Sequence, residues 1–313
     1  MGSDIRMELY PLKFAPIFKQ MIWGSESWEL SGVGGSESVV SYGALHGRKI
    51  SEIIREYRGL LVGQKNYLRF GDEFPLLIKF IDASLDLSVQ VHPNDELAME
   101  RHGKRGKSEM WYVTGALPGA HLRAGFSRRL TPDEYESKVA DGSIADALAE
   151  YAVQEGDVFY LPAGRVHSLG AGTSVAEIQE TSDVTYRIFD FNRLGLDGKP
   201  RELHTALARD AMDFTVQTDY RTHYRHEKNA ETVLVECPHF RTSLFDLDRS
   251  VTKDIAVLDS FLVVMCTEGE GTVADSRGNT VDIRSGETVL MPACSGHAVF
   301  TPQQQMKLLT SCV

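Results

Sequence analysis

Short runs rich in Val, Ile, Phe and Tyr, each closed by Gly, Asp or Pro, recur along the chain, as in Leu85–His92, Glu109–Thr114, Asp157–Leu161, Ser174–Glu180 and Phe261–Cys266. Apolar runs of this length between turn residues predict the short strands of a β-sandwich or barrel. Two stretches depart from the pattern. Ser51–Leu61 sets Ile53, Ile54, Tyr57 and Leu61 at helical spacing. Thr131-Pro132-Asp133-Glu134 joins an N-cap Thr, a Pro at the first helical position and a Glu where a capping box requires it. A helix is predicted from there to about Tyr151, broken near Gly142. Leu194–Arg201, with Gly195, Gly198 and Pro200, reads as a turn-rich connection, and Asp210–Lys228 as polar and irregular.

The strand pattern also repeats. Gly156-Asp157-Val158-Phe159-Tyr160-Leu161-Pro162 is followed five residues later by His167, and Gly286-Glu287-Thr288-Val289-Leu290-Met291-Pro292 five residues later by His297. Each copy follows an apolar strand, Met110–Val113 in the first and Phe261–Met265 in the second. Two related β-barrels in tandem are predicted, in a mainly β chain with a few short helices. The boundary is placed near residue 230, giving domains over 1–230, with the helical insertions, and 231–313.

Charge and composition narrow the function. The 313 residues carry a net charge of -11 with no dense Lys/Arg block, which argues against nucleic acid and anionic membrane surfaces. The four cysteines, Cys237, Cys266, Cys294 and Cys312, form no CxxC pair and suit neither a zinc ribbon nor a disulfide framework. There is no signal peptide and no apolar run of membrane-spanning length, so the expected address is the cytoplasm. The opening Met1-Gly2-Ser3-Asp4 reads as a tag remnant and is set apart from the fold. The oligomeric state is left open between monomer and homodimer.

The candidate chemistry lies in the first repeat. Gly156, Pro162, Gly164 and His167 fit the pattern G-x5-P-x-G-x2-H, which resembles the second motif of the cupin barrels and delivers its His to the barrel mouth. Upstream, Ser88, Gln90 and His92 alternate onto one face of a strand, and Glu109 is a carboxylate entering the apolar strand Met110-Trp111-Tyr112-Val113. Two imidazoles and one carboxylate suit Zn²⁺ with an open position, and equally suit non-haem iron(II). Gln90 adds either a neutral amide ligand or a hydrogen-bonding neighbour. The second repeat keeps His297 but has Cys294 where Gly is expected and no carboxylate matching Glu109, so the C-terminal barrel reads as degenerate and structural. Trp23 and Trp28 are expected to pack an N-terminal arm over the barrel. His102, His121 and His204 show no ligand pattern.

Several segments in order carry a family resemblance. Pro16-Ile17-Phe18-Lys19 with Trp23-Gly24, Ser27-Trp28-Glu29-Leu30-Ser31, Ser88-Val89-Gln90-Val91-His92-Pro93, Lys107-Ser108-Glu109-Met110-Trp111-Tyr112 and Pro162-Ala163-Gly164-Arg165-Val166-His167 resemble the type I mannose-6-phosphate isomerases. With only 58 positions between Glu109 and His167, the chain is similar to their compact bacterial or archaeal form. The resemblance implies one zinc on Gln90, His92, Glu109 and His167. It implies interconversion of mannose 6-phosphate and fructose 6-phosphate through a cis-enediol. It also implies a substrate site using Glu177, Asp183 and the catalytic Arg187, with Arg193 where eukaryotic members carry a Lys. Lys107 is a candidate acid or base, since alternation puts it on the face of Glu109 if the strand extends back. Ser88, Lys79 and Arg193 are candidates for phosphate contact. Two alternatives remain: an iron-dependent cupin oxygenase on the same triad, and a non-enzymatic sugar-binding cupin.

Overall fold

A computed structural model describes residues 9–313; Met1-Gly2-Ser3-Asp4 lies outside the described residues. The chain is mainly β, with six short α-helices among the described residues, as the hydrophobic pattern predicts. It divides into two compact units. One comprises Phe18–Trp28 and Leu77–His223; the other runs over Tyr224–Val313 and takes in Glu29–Leu76 and the stretch ending at Ile17.

The first unit is built on two antiparallel sheets. One has the strand order Val158–Leu161, Glu109–Ala116, Thr173–Glu180, Leu76–Ala83, Gly24–Ser31 and Ile17–Met21. The other runs Tyr186–Phe189, Val89–Val91, His167–Leu169, His121–Phe126 and Leu148–Ala152. Large side chains such as Trp111, Phe159, Val175 and Ile81 form one buried cluster, and Phe126, Tyr135, Val166 and Ile188 another. Trp23 and Trp28, expected on an arm over the barrel, belong instead to the strand pair at the edge of the six-stranded sheet, Trp28 within Gly24–Ser31 and Trp23 in the turn before it.

The capped helix begins as predicted: Thr131 accepts from the Glu134 backbone N–H, Glu134 caps back onto Thr131 N–H, and Pro132 opens the helix Pro132–Asp141. It does not continue to Tyr151. Gly142 ends it in the left-handed region at φ 78°, a 3₁₀ turn covers Ile144–Ala147, and Leu148–Ala152 is a strand. That strand pairs with His121–Phe126, His121 opposite Ala152, so the barrel ladder overrides local helix propensity.

The second unit contains a barrel in which two long strands, Leu262–Asp275 and His297–Cys312, pair along most of their length. Their register shifts between Cys266 and Glu268 and again between Gly269 and Gly271. Gly269 makes this possible: at φ +76° a Cβ there would sit 2.0 Å from the Gln305 carbonyl oxygen. Thr288–Met291 and Val251–Asp254 complete the wall. The interior is apolar, with Val264, Cys266, Phe300 and Leu308 all fully buried. The predicted helix near Ser51 is present as Ile50–Tyr57, burying Ile50, Ile53, Ile54 and Tyr57. It breaks at Arg58 before the short helices Gly59–Val62 and Gln64–Phe70. No helix among the described residues is long and apolar enough to cross a membrane.

Candidate metal centre

Three strand ends bring the triad together. His92 follows Val89–Val91, Glu109 opens Glu109–Ala116 and His167 opens His167–Leu169. The ladders fix their register: His167 lies opposite Gln90, and Glu109 opposite Leu161 and Gln179. All three side chains are buried, and their ligand atoms lie within 4.8 Å of one another.

The imidazole tautomers follow from the main chain. His92 Nδ1 lies 3.0 Å from the Val184 carbonyl oxygen, and His167 Nδ1 lies 2.9 Å from that of Arg165. A carbonyl only accepts, so each Nδ1 carries a proton and Nε2 is the nitrogen turned toward the centre. His167 Nε2 is 3.1 Å from Glu109 Oε1, and His92 Nε2 is 3.5 Å from Glu109 Oε2. Glu109 Oε1 is buried without a hydrogen-bond donor. Two imidazole nitrogens and a buried carboxylate oxygen left without a donor make a set that fits a metal ion.

Electrostatics keeps these groups in ligand form. Burial, with Lys107 adding to it, holds the His92 imidazole well below its usual range, so it stays neutral. Burial alone would raise the Glu109 carboxyl, but the Lys107 ammonium beside it outweighs burial and holds it well below the usual carboxylate range. The Trp111 ring meets His167 edge-on at 5.2 Å between centroids and restrains its swing. The Gln90 amide nitrogen is 3.3 Å from His167 Nε2, so this side chain ends beside the triad.

Lys107 lies two residues before its strand, which starts at Glu109, so strand alternation does not place it. Its side chain nevertheless reaches the triad: Nζ is hydrogen-bonded to Glu109 Oε2 and lies 3.2 Å from His92 Nε2, fully inside the protein rather than in solvent. A cavity of about 340 Å³ adjoins the centre and is lined by Gln90, Lys107, Ser88, Lys79, Glu177 and Arg187 among others. A larger groove of about 680 Å³ in the second unit, bounded by Glu270, Asp282 and Arg284, contains none of these donors.

The remaining candidates separate. Lys79 is buried and committed: Nζ donates to Glu177 Oε1 at 2.8 Å, and Trp111 Nε1 donates to Glu177 Oε2 at 2.7 Å. Burial would lower the Lys79 ammonium, but Glu177 and Glu26 lift its pKa to about 12, so it stays charged and paired. Asp183 lines the cavity but is paired with Lys104 at 2.6 Å. Arg187 pairs with neither Glu177 nor Asp183; its Nη1 donates to the Glu202 carbonyl and its Nε is buried without an acceptor. Arg193 lies outside the cavity lining, bound to Asp190. Sequence reasoning missed Lys19, stacked 3.2 Å over the Trp28 ring, and Arg201, both in the lining. Lys19 sat within a segment already marked by the family resemblance; Arg201, in a turn after Pro200, carried no local signal.

A profile of the phosphomannose isomerase type I catalytic domain matches residues 24–112. The mannose-6-phosphate isomerase ManA of Bacillus subtilis (strain 168) is 33% identical over 305 residues, covering 91% of this chain and 94% of that protein. The chain belongs to the type I mannose-6-phosphate isomerases. A second member of this isomerase family, from Streptococcus mutans serotype c, is 32% identical, covering 85% of this chain and 82% of its own. The crystal structure of the Bacillus subtilis mannose 6-phosphate isomerase superposes with a TM-score of 0.86 at 28% identity, covering 97% of this chain and all of that one. A mannose 6-phosphate isomerase crystallised with zinc and yttrium matches at a TM-score of 0.73 and 15% identity, over 96% of this chain and 98% of that one, and shares the fold.

Proposed function

We propose that the chain interconverts mannose 6-phosphate and fructose 6-phosphate, using one zinc ion held by Gln90, His92, Glu109 and His167. The observation that carries this reading is the buried convergence of two imidazole Nε2 atoms and a carboxylate on one point, beside a cavity lined with cations, in a member of this family. The zinc-containing relative supports the choice of metal.

Isomerisation takes the proton from C2 of the open-chain aldose and returns one to C1, while the O2 hydroxyl proton passes to O1, through a cis-enediol. Bound at the triad, zinc supplies Lewis acidity toward the substrate oxygens. Lys107 Nζ is the group held against the centre and able to move a proton at the substrate oxygens. Arg187, with its Nε uncommitted, lies in the cavity wall to stabilise the enediolate oxygen or the phosphate. The Lys79–Glu177–Trp111 network holds the cavity floor rigid, and Ser88 and Gln90 add polar contacts to the same wall. The proposed compartment is the cytoplasm.

The test is a coupled assay of mannose 6-phosphate conversion on native protein, chelator-treated protein and chelated protein given zinc. Activity lost to chelator and restored by zinc is expected. A folded, zinc-loaded protein without turnover overturns the reading and directs attention to iron content and oxygen uptake.

A further inference from the structure

Asp190 follows the strand Tyr186–Phe189 and holds two arginines at once. Its Oδ1 accepts from Arg193 Nε at 3.0 Å and Nη2 at 2.8 Å, and from Arg201 Nη2 at 2.6 Å; its Oδ2 accepts from Arg201 Nε at 2.6 Å. Arg201 is therefore gripped side-on through both carboxylate oxygens, which leaves its Nη1 outside that pair. Arg201 lines the cavity beside the metal centre, and so does Arg187. Arg193 does not; its guanidinium lies over the Phe191 ring, 5.6 Å from the centroid.

Charge counting gives this corner a direction. Arg187, Arg193 and Arg201 contribute three positive charges against the Asp190 carboxylate, bonded to two of them, and the Glu202 carboxylate, so cations are in excess at this corner. The nearby Glu202 meets Arg187 through its backbone carbonyl, and its side chain is 83% exposed, 3.9 Å from His204. Arg187 Nε is buried without an acceptor. Burial, then Arg201 and Arg193, press the Arg187 guanidinium below its usual value, with Asp190 and Glu202 opposing. A phosphate monoester brings roughly −1.5 to −2 charges at neutral pH and three acceptor oxygens, which match that excess.

We propose that Arg201, aimed by Asp190, is the residue that takes the substrate's phosphate together with Arg187, and that Arg193 braces Asp190 without touching the ligand. The assignment rests on the isomerase reading for the identity of the phosphosugar, but the anion clamp itself does not depend on turnover. Asp190 serves as a positioning residue. It fixes the plane of the Arg201 fork, which a lysine cannot reproduce.

The test is calorimetric titration of a hexitol 6-phosphate, which has no carbonyl to isomerise, into zinc-loaded wild type, Arg201→Gln, Arg201→Lys and Arg193→Gln, with zinc content and melting temperature confirming that each is folded. Loss of a charge-assisted phosphate contact predicts affinity weaker by about 10- to 100-fold for Arg201→Gln. Arg201→Lys should fall between Arg201→Gln and wild type, and Arg193→Gln should stay within about threefold of wild type, since Asp190 keeps its bidentate grip on Arg201. Arg201→Gln binding like wild type, or Arg193→Gln losing affinity as severely, overturns the proposal. A wild type that binds through Arg201 yet fails to turn over mannose 6-phosphate sinks the isomerase reading and leaves the clamp standing. Turnover with Arg201-independent binding sinks the clamp alone.

Discussion

The metal-centre barrel and the C-terminal barrel use the same hairpin to different ends. In the first, Leu161 lies opposite Glu109; in the second, the matching Met291 lies opposite Leu262. His167 pairs with Gln90, and two residues on comes His92; His297 pairs with Asp254, and two residues on comes Ala256. The wall is shared, the final His is shared, and a leucine and an alanine replace the other two donors. With those replacements the second interior closes into a dry cluster of Val264, Phe300 and Leu308. The first keeps buried polar groups, some paired, as Lys79 is with Glu177, and some open, as Glu109 Oε1 is. One interior brings a set of metal-ligating groups together and the other is a continuous apolar cluster.

Matched substitutions in the two barrels test that division. His167→Ala should abolish zinc retention and lower turnover by on the order of 10³-fold, whereas His297→Ala should leave metal content and rate within about twofold. Metal analysis with the coupled assay decides it; zinc lost from the His297 variant breaks the comparison. Lys79→Met strands the Glu177 carboxylate in the interior and should cost about 3–5 kcal/mol in urea unfolding. The counterpart Lys253→Met, whose partner Glu231 is 30% exposed, should cost about 1 kcal/mol or less. Phe300→Ala opens a void in the dry barrel and should cost about 3–5 kcal/mol, with turnover per folded molecule unchanged.

The smallest effect concerns pH. His204 Nδ1 accepts the Arg187 backbone N–H, so the neutral ring is the bonded form. Burial holds its pKa below the ordinary 6.5, with Glu202 opposing and Arg187 and His102 reinforcing. A histidine depressed in the folded state stabilises fully above its unfolded pKa and loses that contribution as pH falls below about 6.5. The melting temperature of wild type should thus decline more between pH 7.5 and 5.5 than that of His204→Gln. Equal declines would remove His204 from the account.

The triad was legible because each donor sits in a local pattern: His92 and Gln90 in an alternating strand, Glu109 at the entry of an apolar one, His167 at the end of a Gly-to-His hairpin. The lack of a carboxylate matching Glu109 in the second repeat was legible for the same reason. Arg201 was not, because Asp190 and the turn between Gly195 and Lys199 bring it to the cavity, and no periodicity encodes that turn. Lys107 was placed by a strand that does not extend to it; its long stem makes the contact instead. Local pattern extends the helix to about Tyr151, into the strand Leu148–Ala152, because that strand's pairing partner, His121–Phe126, is distant in sequence and contributes nothing to local propensity.

The two carbonyls that set the histidine tautomers belong to Val184 and Arg165, and every residue type carries a carbonyl. Side-chain replacement at either position leaves the carbonyl in place, so the tautomer is insulated from genetic drift there. A change that moves the main chain, such as an insertion or deletion in either loop, removes that restraint. The centre is accordingly tolerant of point mutation in the segments that orient it and brittle toward changes in their length.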